Sequence, residues 1–143
     1  MSQQKKQWDP LLQWFRDRYG CQFRTTLEFE TPEQDAKTVE IQQSLLESLT
    51  PWQLAALDSL TTVTKSFLIS WALITDRLSI NQAFEAARLE ENFQMRQYGQ
   101  VEGIYGHGIE MEFTRMTLAA AKTWVNLVTI DREANPLLKP TKQ

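Results

Sequence analysis

One densely charged stretch of the chain is EAARLEENFQMRQYGQVEG, residues 85–103, which has a lone acid, Glu102, near its end. Carboxylates on a helix can act as a general acid and base, or as ligands of a metal ion. Dense charge is equally typical of a surface that selects a protein partner by electrostatic complementarity. The apolar spacing within the stretch does not distinguish these functions.

The remaining chemistry-bearing residues argue against catalysis. Glu90 and Glu91 are adjacent, and neighbours on a helix point about 100° apart, so their carboxylates do not share a site. The chain has one histidine, His107, and the residue three positions before it is Ile104, which excludes the Glu-x-x-His pairs of a di-iron bundle. Cys21, the single cysteine, has no local signature of a nucleophile beside a base. We therefore expect no enzyme activity, no metal site and no cofactor.

Composition narrows the class of protein further. A length of 143 residues with 42% hydrophobic and 23% charged residues is typical of one globular domain. The net charge of -3 provides no basic stripe for nucleic acid. The most apolar segment is interrupted by threonine, serine and lysine, so we expect no membrane insertion. One cysteine cannot form a disulfide within the chain.

Helix-start signals divide the chain. Thr31-Pro32, Thr50-Pro51 and Asp9-Pro10 each place proline at a first helical position, and Ser79 with Gln82 has the pattern of a capping box. We expect five helices, over about residues 10–19, 32–48, 51–75, 80–98 and 110–130. Residues 21–27 alternate with period two and could form one short extended segment. The predicted fold is an all-α bundle of about five helices around a central apolar helix, 51–75.

Two of these helices have informative side chains. Lys65 is the only charge between Ser59 and Thr75, and it could reach the surface, pair with an acid of another helix, or contact a partner. The fifth helix has an apolar stripe with helical spacing, which predicts an amphipathic helix. Its members are Ile109, Phe113, Met116, Ala120, Trp124 and Leu127.

Several motifs, in order, resemble a known family. These are WDPLLQWFRDRYG, then PWQLAALDSLTTVTKSFLISWALI, then RLSINQAFEAARLEENFQ, then YGQVE, which together cover about residues 8–128. The chain resembles the assembly chaperones that bind the alpha subunit of the F-type ATP synthase, assembly factor 2 of its catalytic head. It differs from the family in having Tyr98 where the family has tryptophan, and Tyr105-Gly106 where the family has His-Asp.

The resemblance implies a binding function without turnover. Members of the family hold the unassembled alpha subunit and cover the surface that later meets the beta subunit. The functionally sensitive acid of the family matches Glu102. We expect Glu91, Gln94, Tyr98 and Glu102 to line one client-binding face if the helix continues through Gly99, with Lys65 as a further partner-binding residue.

The resemblance also implies an organisation and a compartment. We expect a helical chaperone domain over 8–130 and an irregular tail over 131–143, without the strand-rich N-terminal domain of the family. We expect a monomer in the mitochondrial matrix, with the bacterial cytoplasm as the alternative. A permanent accessory or structural subunit of an ATP synthase, derived from the same family, is the alternative function.

Overall fold

A computed structural model describes residues 3–26, 30–99 and 107–129. The all-α prediction is confirmed, since the described residues form helices and no strand. There are eight helices rather than five in the described ranges. They are α1 Gln3–Gln7, α2 Asp9–Tyr19, α3 Ala36–Glu47, α4 Pro51–Thr64, α5 Phe67–Ile74, α6 Ile80–Ala87, α7 Leu89–Tyr98 and α8 His107–Val128. None of the helices within the described ranges is both long and apolar enough to cross a membrane.

The chain forms two compact units, Met1–Thr50 and Pro51–Gln143. In the N-terminal unit, α2 ends at Gly20, whose φ of 69° is the left-handed conformation that glycine adopts without strain. Phe15 of α2 is fully buried, and its ring centroid lies 4.6 Å from that of Tyr19 and 4.9 Å from that of Phe23. This aromatic cluster holds the residues that follow α2 against the helix.

The segment after α2 is not a strand in its described part. Residues 21–26 have no regular secondary structure, and residue 27 lies outside the described ranges. The backbone of Arg24 is held instead by the side chain of Gln34, whose Oε1 accepts from the Arg24 amide at 2.9 Å and whose Nε2 donates to the Arg24 carbonyl at 3.0 Å. Because Gln34 bonds to this segment, the predicted helix start at Pro32 is wrong, and α3 begins at Ala36 after an extended Asp35.

In the C-terminal unit, the single central helix predicted over 51–75 is also wrong, because Lys65 and Ser66 break it into α4 and α5. Lys65 has a φ of 55°, which ends α4. The Ser66 hydroxyl then accepts from the amide of Ile69 at 3.3 Å and caps α5. The hydroxyl groups of this segment provide local hydrogen bonds that compete with a continuous helix.

Helix α5 forms the core of the C-terminal unit. Every residue from Ile69 to Ile74 is buried, and the helix contacts α4, α6 and α8. The expectation of a central apolar helix is therefore confirmed for α5, which is shorter than predicted. In α6, Ala83 and Phe84 are buried as their apolar spacing predicts, whereas Ala87, which we expected on the same face, is half-buried.

The Ser79 capping box is confirmed and provides a test of local stability. The Ser79 hydroxyl accepts from the Gln82 amide at 3.3 Å, and the Ser79 amide donates to Gln82 Oε1 at 2.9 Å. We expect Ser79→Ala to lower the free energy of unfolding by about 1 kcal/mol, because the first turn of α6 loses an acceptor. Urea titration followed by circular dichroism measures this, and Ser59→Ala, at an exposed position within α4, is the matched control. Equal effects of the two substitutions would contradict the capping role.

Candidate functional site

Helix α7 carries three of the five residues predicted to bind a partner. Glu91, Gln94 and Tyr98 lie on one face of the helix, at steps of three and four residues. Glu91 is half-buried, Gln94 is exposed, and Tyr98 is 81% exposed. The helix therefore presents an amide and a phenol to the surroundings, with a carboxylate at the inner end of the line.

The line does not continue along the same helix. Helix α7 ends at Tyr98, because Gly99 has φ 90° and ψ 166°, which is far from helical. The condition under which Glu91, Gln94, Tyr98 and Glu102 would share one uninterrupted helical face is therefore not met. Glu102 itself lies outside the described residues, as do Tyr105 and Gly106.

A buried arginine, Arg88, anchors the inner end of this line. Its side chain is 5% exposed, and its Nη2 lies 2.7 Å from Glu91 Oε2, although the two atoms are not aligned as a hydrogen bond. Its Nη1 lies 3.7 Å from Glu110 Oε1 at the start of α8, and its guanidinium is 5.9 Å from the Phe84 ring centroid. Arg88 therefore links α6, α7 and α8 by charge.

The spacing of three residues favours a pair between Arg88 and Glu91, but it does not show that Arg88 is buried. The signal was present, since Arg88 lies between Ala87 and Leu89 and follows the apolar face of α6. A positively charged side chain whose neighbours face the core is itself buried, and burial of the charge is tolerated only when carboxylates lie close to it. Here the acids come from two helices, and the contact to Glu110 joins residues that are distant in sequence.

The structure brings Lys65 close to the row of Glu91, Gln94 and Tyr98 on α7, which we call the α7 line. Lys65 Nζ lies 3.8 Å from Glu91 Oε1, while the Lys65 side chain is 80% exposed. Of the three possibilities for Lys65, pairing with an acid of another helix matches this geometry. An exposed pair of this kind contributes about 0–1 kcal/mol, so it orients Glu91 more than it stabilises the fold.

The described residues show neither a metal site nor an activated nucleophile. They contain no group of three or more His, Cys, Asp or Glu residues that could hold a metal ion. Burial raises the pKa of the Cys21 thiol, while the nearby Lys37 lowers it less. A raised pKa reduces the thiolate fraction at neutral pH, so this cysteine lacks the activation of a nucleophile.

The chain was compared with protein families, with curated proteins and with solved structures. No protein-family model matches the chain. The mitochondrial protein Atp12 of Schizosaccharomyces pombe is 29% identical over 125 residues, which are 85% of this chain and 42% of that protein. The chain is similar to Atp12 over most of its own length. The resemblance inferred from the sequence motifs is thereby confirmed.

Solved structures of Atp12 share the fold. The crystal structure of Atp12 from Paracoccus denitrificans superposes with a TM-score of 0.79 at 24% identity, over 87% of this chain and 52% of that one. Atu1473 from Agrobacterium tumefaciens, a candidate chaperone, has a TM-score of 0.73 at 27% identity, over 85% of this chain and 44% of that one. The chain thus spans about half the length of the proteins that it matches.

Proposed function

We propose that this chain is an assembly chaperone that binds the unassembled alpha subunit of the F-type ATP synthase and shields its beta-facing interface until assembly. The similarity to Atp12 over 85% of the chain carries the proposal. An orphan subunit of an obligate complex exposes an interface that is more apolar than ordinary surface. A transient partner that covers this interface prevents aggregation, and the permanent partner later displaces it.

The geometry of α7 supports a role in binding. Arg88 and Lys65 fix Glu91, and the helix then extends to the exposed Gln94 and Tyr98. Tyrosine provides a large contact area with a polar tip and loses little conformational entropy on binding. We propose that Glu91, Gln94, Tyr98 and Glu102 contact the alpha subunit, in a mitochondrial matrix or a bacterial cytoplasm.

Binding to the isolated alpha subunit tests the proposal. We expect Tyr98→Ala and Glu102→Lys each to weaken binding by at least about tenfold, or about 1.4 kcal/mol, while the helical circular dichroism signal is unchanged. Glu40→Lys, at an exposed position in α3, is the matched control for the charge reversal and should bind like the unmodified chain. Calorimetric titration or co-purification provides the measurement.

Two results would contradict the proposal. Failure of the unmodified chain to bind the isolated alpha subunit would exclude the chaperone function. Recovery of the chain at fixed stoichiometry in the finished ATP synthase, and not with free subunits, would favour a permanent accessory subunit instead. Equal binding by Tyr98→Ala and Glu102→Lys would show only that the α7 line is the wrong face.

A further inference from the structure

Helix α8 has a second apolar face that the described residues of the C-terminal unit leave exposed. The apolar stripe predicted from the sequence lies along one side of α8, but its large side chains are 43–71% exposed. They are Ile109, Phe113, Met116, Trp124 and Leu127, with the exposed Ala120 between them. An apolar stripe of a helix ordinarily faces the core, so this orientation requires a reason.

The core is formed by the other side of α8. Leu118 and Val125 are buried there, together with Thr114, Ala121 and Lys122. This side contacts α4, α5 and α6. Helix α8 is therefore held in the unit without the stripe, which remains as surplus apolar surface.

A pair of tryptophans extends the stripe onto α4. Trp124 Nε1 donates to the backbone carbonyl of Trp52 at 3.2 Å, and the two ring centroids lie 6.0 Å apart with the rings edge to face. Trp52 is nevertheless 63% exposed. A hydrogen-bonded aromatic pair is already ordered before a partner binds, which lowers the entropic cost of using it as an anchor.

The dimensions of the patch suit a protein contact. Ile109 and Leu127 are 18 residues apart, which is five helical turns, so the stripe runs straight along about 27 Å of the helix. With about 150–250 Å² for each aromatic side chain, the five large residues and Trp52 expose on the order of 600 Å². That is the upper end of the roughly 300–600 Å² found for the largest patch on a monomer, and near the roughly 800 Å² per partner of a standard interface.

The charges beside the stripe favour a different protein over a second copy of this chain as the binding partner. Glu110 and Glu112 flank the first turn of the stripe, one on each side, and the flanks beyond Met116 are threonine, alanine and asparagine. The two cations of α8 are engaged within the unit, because the Arg115 guanidinium lies 4.2 Å from the Phe84 ring centroid and Lys122 pairs with Asp76. The described part of α8 therefore has no exposed cation. If the stripes of two copies packed against each other, the facing α8 could not neutralise Glu110 and Glu112.

We propose that the α8 stripe and Trp52 form a docking surface for an apolar strip on another protein, with a basic residue opposite Glu110 and Glu112. The inference rests on the proposed function, which makes that strip part of the interface of the unassembled alpha subunit. The contact of Arg88 with both Glu91 and Glu110 joins the acidic end of the stripe to the α7 line. Client contact therefore extends from α7 along α8.

The test uses the full chain and the isolated alpha subunit. Phe113→Lys and Met116→Lys each place a charge in the middle of the stripe, at side chains that are 64% and 68% exposed. We expect each to weaken binding by at least about 100-fold while the melting temperature stays within a few degrees, since neither side chain stabilises the core. Glu112→Lys should weaken binding about tenfold and reduce its dependence on salt, because one charge pair is lost.

Val39→Lys, at an apolar and exposed position in α3, is the matched control and should bind within about twofold of the unmodified chain. If the unmodified chain binds the alpha subunit and the Phe113→Lys and Met116→Lys variants bind equally well, the docking surface is wrong while the proposed function stands. If the unmodified chain does not bind, the proposed function fails. If sedimentation shows a dimer that Met116→Lys converts to a monomer, the occupant is a second copy and the inference is overturned.

Discussion

Trp71→Ala is expected to lower the free energy of unfolding by about 3–5 kcal/mol, which is a large part of the stability of a domain of this size. Trp71 is 0% exposed in α5, and its ring stacks on Phe67 with centroids 5.7 Å apart. The substitution removes this buried area and leaves a cavity that the surrounding helices cannot fill. Urea unfolding followed by far-ultraviolet circular dichroism measures the change.

Trp52→Ala is the matched control, because the residue type and the substitution are the same but Trp52 is 63% exposed. We expect a loss of less than about 1 kcal/mol, since little buried area is removed. The pair of variants separates the two uses of tryptophan in this chain, one for the core and one for the surface. A loss at Trp52 as large as that at Trp71 would mean that the exposed tryptophan pair supports the fold, which would weaken the docking inference.

Asp76→Asn is expected to be the second most damaging substitution, with a loss of about 3 kcal/mol. Lys122 is buried in α8, and its Nζ lies 2.7 Å from Asp76 Oδ1 and 3.1 Å from the Ile74 carbonyl, to which it donates. Without the carboxylate, the buried ammonium loses the charged partner that lies 2.7 Å away. Asparagine also tolerates the left-handed φ of 59° at this position, so the change tests charge rather than backbone strain.

The double variant Asp76→Asn/Lys122→Met provides the decisive comparison. Methionine fills the volume of the lysine stem without a charge, so we expect the double variant to recover most of the stability lost in Asp76→Asn. Thermal and urea unfolding of the two single variants and the double variant complete the cycle. Additive losses would show that the two side chains do not act as a pair.

The sequence predicted the local features of the fold well. The start of α4 at Pro51, the capping box at Ser79 and the end of α2 at Gly20 depend on residues within one turn of each other, so they can be read directly. The helix breaks were missed at Lys65 and at Arg88. At Lys65 the break is local, because the Ser66 hydroxyl caps α5 in competition with a continuous helix. At Arg88 the guanidinium is buried and also pairs with Glu110 of α8, a contact that forms only in the folded unit.

The candidate site was only partly predictable. The motifs carried the resemblance to Atp12 and the spacing that puts Glu91, Gln94 and Tyr98 on one face of α7, because both depend on residue types in order along the chain. The burial of Arg88 was not evident, since half of its ion pairs come from α8. The end of α7 at Gly99 was not evident either, because glycine interrupts a helix in some contexts and is tolerated in others.

Helix α8 marks the boundary between what the sequence determines and what the tertiary structure decides. By itself the sequence predicts an amphipathic helix over about residues 110–130, which the structure has over His107–Val128, since periodicity and helix propensity are properties of neighbouring residues. It does not determine which side is buried, because Leu118 and Val125 lie opposite an equally apolar stripe. Only packing against α4, α5 and α6 decides this, as the smaller side fits between helices and Lys122 reaches Asp76 there, which leaves the larger side chains exposed.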